Sequence, residues 1–277
     1  MRIDLHTHSN RSDGTDTPTE LVRKARDVGL DIVALTDHDA TAGWDEAMTA
    51  ATEAGIELVR GIEISTTFQG HSVHLLGYEF DPHDAALVAE LERVREGRDE
   101  RLPRMLERLA ALGFPVTLEE VAAHSGSAAA SGRPHVADAL VAKFPERFRN
   151  RDDVFRGWLD TGGKAYVSRY SAPLAAAIGL VKNAGGRTVI AHPWSRGSRS
   201  VLTGDDFARL VEAGLDGIEV DHPDHDEAAR AALRDIAEDL DLVVTGSSDY
   251  HGTGKSDAFA LGRHTTDPDQ YRRLLRG

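Results

Sequence analysis

Residues 2–15 read RIDLHTHSNRSDGT, and this stretch decides what fold to look for. A short apolar lead, Ile3 and Leu5, breaks off into His6, His8 and Asp13, with Gly14 directly behind. Side chains two residues apart at a strand end project to the same side. His6 and His8 can therefore bind one metal ion through imidazole nitrogen, the commonest protein ligand for such ions. If this is one strand end of an α/β barrel, other strand ends should carry matching ligands.

They do. Seven β-like runs stand at 2–6, 31–36, 57–64, 71–78, 187–192, 217–221 and 241–247. Their near-continuous β-branched character suits strands covered on both faces, as in parallel sheets. Helical patterns lie between most of them. Thr17-Pro18-Thr19-Glu20 is a capping sequence with Pro in the first helical position, and residues 42–54 form an Ala-rich helix closed by Gly55. Ser171 and Thr203 are expected to cap later helices, and 225–239 and 267–276 complete the set. The alternation reads as a βα barrel or an open α/β sheet.

The alternation stops between Asp81 and Ser171, where helical periodicity takes over at 84–112, after a capping Thr117, at 135–143 and at 151–160. Such a segment is expected to be a small helical domain, residues 98–171, inserted into a barrel built from 1–97 and 172–277.

Strand two ends Thr36-Asp37-His38-Asp39, and strand three runs into Glu63. Strand four contains His71 and His74, strand five ends at His192, and strand seven ends Asp249-Tyr250-His251. In α/β barrels the C-terminal strand ends form one rim that carries the chemistry. Each motif alone is equally at home as a solvated or hydrogen-bonded group; their coincidence on six segments argues for a metal centre. His71 is left out because its odd spacing from His74 turns it to the other face.

The bulk numbers narrow the partners. With 32 basic and 46 acidic residues the net charge is −14, which disfavours an extended duplex-binding surface. No apolar run approaches the ~18 residues of a membrane span, and residues 1–20 show no secretory pattern. The absence of cysteine excludes disulfides and Cys-zinc sites. The expectation is a cytoplasmic protein with no membrane partner, and the charge balance leaves room for a small phosphorylated ligand held by metal ions and a few arginines.

The motifs LHTHSNRSDG, LTDHD, GIEIS, HLLGY, IAHP and SSDYHG occur in the order found in the PHP (polymerase and histidinol phosphatase) phosphoesterases, which this chain resembles. The resemblance implies a distorted seven-stranded βα barrel holding two to three divalent cations: Mn, Fe or Zn, with Mg possible at one site. It implies that His6, His8, Glu63 and Asp249 hold the first ion, and that Glu63 bridges to a second completed by His74 and His192. Asp13, His38 and His251 hold the third. Several family members have histidine where Asp13 stands, so that site is expected to favour harder ions.

Closely spaced cations suit phosphoester hydrolysis: they lower the pKa of a bound water to give hydroxide near neutral pH and neutralise phosphoryl oxygens. Asp249 and His192 are the catalytic candidates within the ligand set, and His222, on the loop after strand six, is a candidate substrate contact or proton donor. The substrate phosphate also needs positive groups from another direction, which the insertion can supply. Arg101 and Arg104 lie in a run where residues 90–108 alternate six Arg with six acidic residues, as a solvated helix would. Ser131-Gly132-Arg133-Pro134-His135 is the better candidate, because it opens a helix whose first N–H groups favour an anion. SGRPH also resembles the insertion of a PHP subgroup that hydrolyses nucleoside 5′-monophosphates, 3′,5′-bisphosphates or RNA 5′ ends. The expected activity is hydrolysis of a nucleotide or short-oligonucleotide phosphate. A histidinol-phosphate phosphatase and a non-catalytic RNA- or metal-binding regulator are the alternatives.

Overall fold

The computed structural model describes residues 1–125, 132–195 and 201–276. The chain divides into two compact units, Met1–Leu91 with Ser171–Gly277 and Glu92–Tyr170.

In the first unit, β1 (Ile3–Asp4), β2 (Ile32–Leu35), β3 (Glu57–Phe68) and β4 (His71–Tyr78) follow one another in the sheet. After β5 (Ala172–Pro173), a short strand paired to β3, the path continues through β6 (Arg187–Ala191), β7 (Gly217–Asp221) and β8 (Val243–Gly246). This is a nearly closed barrel of seven strands with helices around it. One expectation needs correcting: the sheet is mixed, because β4 runs antiparallel to both β3 and β6. The cause is local. Gln69 and Gly70 both have positive φ (49° and 80°), the two-residue turn that folds β3 straight back into β4.

Helix α1 (Pro18–Asp27) starts at the Thr17 capping box with Glu20, and α2 (Trp44–Ala54) ends on Gly55 at φ 72°. α7 (Leu174–Asn183) is not capped by Ser171; residues 172–173 pair with β3 instead, and Pro173 precedes the helix. α8 (Gly204–Glu212) is capped by Thr203, α9 (Glu227–Asp239) by Asp226 and α10 (Pro268–Leu275) by Asp267. Ile3, Leu5, Ile32, Val59, Leu76, Tyr78, Val189 and Val243, on or beside six strands, pack with Tyr271 and Leu274 of α10 into one apolar core.

Among the described residues, no strand pairing joins β8 to β1 along their length. The segment after Gly262 fills that interval: the Thr266 amide donates to Ile3 O (2.8 Å), and Thr266 Oγ1 bonds both Gly246 N and Gly246 O. Gln270 Oε1 accepts from Val244 N at 3.0 Å. These side chains satisfy a strand edge that would otherwise expose unpaired backbone groups.

The second unit is helical. α3 (Ala85–Ala111) leads into it, followed by α4 (Leu118–Ser125), α5 (Arg133–Lys143) and α6 (Arg151–Val154). The helix expected over 151–160 breaks after one turn, since Arg156 leaves helical dihedrals and Gly157 adopts φ 76°. Leu109, Val121, Leu140, Phe148 and Trp158 form its core, with Phe114 edge-on to Phe144, Phe148 and Trp158. Among the described residues, no helix is long and apolar enough to cross a membrane.

Candidate metal centre

Glu63 is the hub. Val59 of β3 faces the barrel core, and the period of two carries Glu63 to the same face. On β4, Leu76 faces the core opposite Glu63, and His74 follows on that face as a diagonal neighbour. Because β4 is reversed, His74 reaches the rim from near the strand's start. Glu63 is 1 % exposed, and five imidazoles converge on it. On Oε2 the approaching nitrogens are His6 Nε2 (3.3 Å), His8 Nε2 (3.1 Å) and His38 Nδ1 (3.2 Å). On Oε1 they are His74 Nδ1 (2.6 Å) and His192 Nε2 (3.2 Å).

Three groups of donor atoms lie within 4.8 Å of one another: His6, His8, Glu63 and Asp249; His38, Glu63 and His74; and His8, Asp13, His38 and His251. His192 approaches Glu63 and lies edge-on to His74, with ring centroids 5.4 Å apart. His38 spans two groups, its Nε2 lying 3.7 Å from Asp13 Oδ2. His192 (φ 28°) and Asp249 (φ 52°) both hold left-handed backbone conformations that aim them inward. Such strain costs of order 1–3 kcal/mol and collects at functional sites.

The residues present fit a cation. His6 Nε2 and His8 Nε2 face each other at 3.0 Å, close enough for both nitrogens to be shared by one cation. Buried His38 Nδ1 makes no hydrogen bond among the described residues, despite its proximity to Glu63. Neighbouring groups fix the ring orientations. His6 Nδ1 pairs with Glu219 Oε1 (3.1 Å) and His251 Nδ1 with the Asp249 carbonyl (2.8 Å), leaving each Nε2 for a cation. Asp37 accepts from Ser9 N, Ser9 Oγ and Ser12 Oγ, which holds the first loop to the second.

Electrostatics prepares the carboxylates. Burial pushes Glu63 upward, but His38, His74 and His6 outweigh it and hold it well below its usual range. Asp249 is likewise held low, against burial, by Lys255 and His6, and Asp13 by His251 and His38. Burial lowers His38 to about 3 and His251 to about 4, so both offer lone pairs. For His8, burial acts downward, yet bonds to Asp249 and Glu63 raise it to about 9; His6 is raised by Glu219, Glu63 and Asp249. Those two rings hold protons that a cation must displace.

His222 is fully buried and its Nε2 meets Asp249 Oδ2 at 3.3 Å. Its Nδ1 accepts from Asp224 N, so Nε2 carries the proton. Lys255, stacked over Phe259, contacts the same Asp249 oxygen. Neither Lys255 nor Glu219 was singled out from the sequence. A carboxylate in the middle of the apolar GIEVD strand was the available signal for Glu219; Lys255 sits in an uninformative loop.

In the helical unit, Arg101 is 7 % exposed, and burial together with Arg133, Arg169 and Arg98 lowers it to about 8. Arg133 donates to Leu159 O (3.0 Å) and lies over Phe155. His135 Nδ1 accepts from Gly132 N (3.0 Å), closing the start of α5 with Pro134 in its first turn. Arg104 is exposed. Ser131 lies outside the described residues.

A barrel whose rim buries carboxylates among clustered histidines defines a metal-dependent hydrolase. The PHP domain signature matches residues 4–117. The chain is 36% identical over 255 residues to a 3′,5′-nucleoside bisphosphate phosphatase of Chromobacterium violaceum, covering 91% of this chain and 88% of the relative. It is 35% identical to a 5′-3′ exoribonuclease of Haemophilus influenzae, covering 90% of each. A phosphoribosyl 1,2-cyclic phosphate 1,2-diphosphodiesterase of Eggerthella lenta is 34% identical, covering 91% of this chain and 95% of the relative. The crystal structure of a candidate metal-dependent phosphoesterase from Bifidobacterium adolescentis superposes with a TM-score of 0.93 at 39% identity, over 99% of this chain and 95% of that one. The chain belongs to the PHP domain family, and it is a phosphoesterase.

Proposed function

We propose that this protein is a cytoplasmic enzyme that hydrolyses the phosphate of a nucleotide, of the AMP or 3′,5′-bisphosphate kind, or of a short RNA 5′ end. The observation that carries the reading is the single buried carboxylate, Glu63, ringed by five imidazoles. In this reading two to three divalent ions, of Mn, Fe or Zn, bind the chain. His6, His8, Glu63 and Asp249 hold the first. Glu63, His74 and His192, with His38 alongside, hold the second. Asp13, His38 and His251, with His8, hold the third, where the hard Asp13 oxygen also suits Mg. Bound there, such ions acidify water and neutralise phosphoryl oxygens.

The chain's own residues supply the rest. Asp249 presents Oδ1 to the histidine cluster and keeps Oδ2 on His222 and Lys255, which fixes its orientation. His222 holds a proton at Nε2 beside Asp249 and His192, where it can reach a leaving oxygen. Buried Arg101, with Arg133 beside it, forms an anion site of the helical unit. The nucleotide choice follows two of the three relatives, and this arginine cluster matches a phosphorylated ligand.

A panel of AMP, a 3′,5′-bisphosphate, a 5′-phosphorylated trinucleotide, histidinol phosphate and a ribose 1,2-cyclic phosphate, assayed with Mn²⁺ or Fe²⁺, tests the proposal. Fastest turnover is expected on the nucleotides. Equal or better turnover of histidinol phosphate or the cyclic ester would overturn the nucleotide assignment. Binding of RNA without turnover of any ester would overturn the enzymatic one.

A further inference from the structure

The loop bearing Asp13 is fastened to the loop bearing Asp249 and His251 by groups that are not themselves ligand atoms. The His8 amide donates to Tyr250 O (2.8 Å), the Thr15 amide to His251 O (3.2 Å) and the Thr253 amide to Thr15 Oγ1 (2.9 Å). The two backbones pass so closely that a Cβ on Gly252 would lie 1.9 Å from Thr15 Oγ1. Beside these contacts stands a side-chain bond. Tyr250 Oη donates to Asp16 Oδ2 at 2.7 Å, and Asp16 receives Lys24 Nζ of α1 on both oxygens, at 2.7 and 2.8 Å. The Asp16 carbonyl accepts from the Asn10 amide (2.7 Å), so its carboxylate stands where the 10–16 loop closes on itself.

We propose that Asp16 and Tyr250 are positioning residues, a clamp that fixes Asp13 against His251 and thereby sets cation affinity in the His8–Asp13–His38–His251 group. This rests on the reading of that group as a cation site. Asp13 Oδ1 and His251 Nε2 stand 3.2 Å apart on two different loops. Cation coordination tolerates only about ±0.2 Å in ligand distance. Loops move more than that unless tied, and ordering them in advance removes a cost from binding. Lys24 completes the device, since a carboxylate held by an ammonium does not compete with Asp13 as a ligand. Of the groups bearing Asp13 or Asp249, the Asp13 one has one carboxylate where the Asp249 one has two, so it is the weaker site, and preorganisation matters most there.

The test is titration of the metal-depleted whole protein with Mn²⁺, the free ion followed by electron paramagnetic resonance, so that the readout is independent of turnover. Tyr250→Phe and Asp16→Ala should each weaken one class of sites by about tenfold or more, leave the other classes unchanged, and retain the parent's melting transition. The double variant should be no weaker than Asp16→Ala alone, because that change already removes the acceptor of the Tyr250 hydroxyl. Unchanged isotherms, uniform weakening of every class, or additive effects would overturn the clamp. A parent protein that binds no Mn²⁺ overturns the cation-site reading and the clamp together. A parent that binds and turns over nucleotide, beside variants that bind as it does, overturns the clamp alone.

Discussion

The two units of this molecule spend their charged residues in opposite ways. Residues 92–170 carry 14 basic and 12 acidic side chains, a net +2, so the remainder carries 18 and 34, a net −16. In the barrel the acidic excess reaches the interior, where Asp4, Asp37, Asp39, Glu63, Glu219 and Asp249 are all buried. In the helical unit the buried charges are instead arginines, Arg98 and Arg101, above an aromatic core. Carboxylates are kept in a low-dielectric interior when positive charge or hydrogen-bond donors meet them. If the barrel holds cations and the helical unit the substrate phosphate, as proposed, a substitution in each should fail differently.

The sharpest way to break that contrast is Glu63→Gln. It removes the oxygen charge shared by five imidazoles, and turnover should fall by about a thousandfold or more, together with bound metal measured by elemental analysis. A variant that keeps its metal and its rate would show that Glu63 only fills space. Glu219→Gln should be milder. It leaves the ligand set complete but loosens the His6 ring, and a loss of about 10–100-fold in metal affinity is expected from an outer partner of this kind. Arg133→Ala should lower turnover by about tenfold with metal content intact, since charge-assisted phosphate contacts are worth roughly 1.5–3 kcal/mol. Loss of metal in that variant would erase the distinction between the units.

A further effect is on pH. His8 is raised to about 9 and His6 is raised as well, so in the neutral range both rings carry protons that a cation displaces. Affinity should therefore rise with pH, by about tenfold per unit for each proton released, and level off above the His8 value. Calorimetry in two buffers of different ionisation enthalpy counts those protons. A flat profile between pH 7 and 8 would mean the rings are neutral before the ion arrives.

Much of the barrel was legible because its signals are local. The Thr17 capping box, the Gly55 stop and the ligand-bearing strand ends each depend on a few adjacent residues. The nine expected ligand positions are brought together around Glu63 and Asp13 because strand ends share one rim. What escaped was relational. The reversal of β4 hangs on the Gln69-Gly70 turn, whose left-handed residues carry no apolar pattern. The break at Gly157 interrupts a stretch whose periodicity continues through it. Lys255, Glu219 and the Asp16–Tyr250 bond reveal their purpose only through partners far along the chain.

Thr266, which closes the interval between β1 and β8, has a consequence for the order of assembly. Its amide serves Ile3 and its hydroxyl serves Gly246, so the earliest strand is not seated until residues beyond 262 exist. Contacts of such sequence separation slow folding. Until that segment docks, a nascent barrel carries two bare strand edges, the template on which chains pair with one another. Shortening the chain before Thr266 should therefore send the protein toward aggregates, even though every cation-binding side chain would still be present.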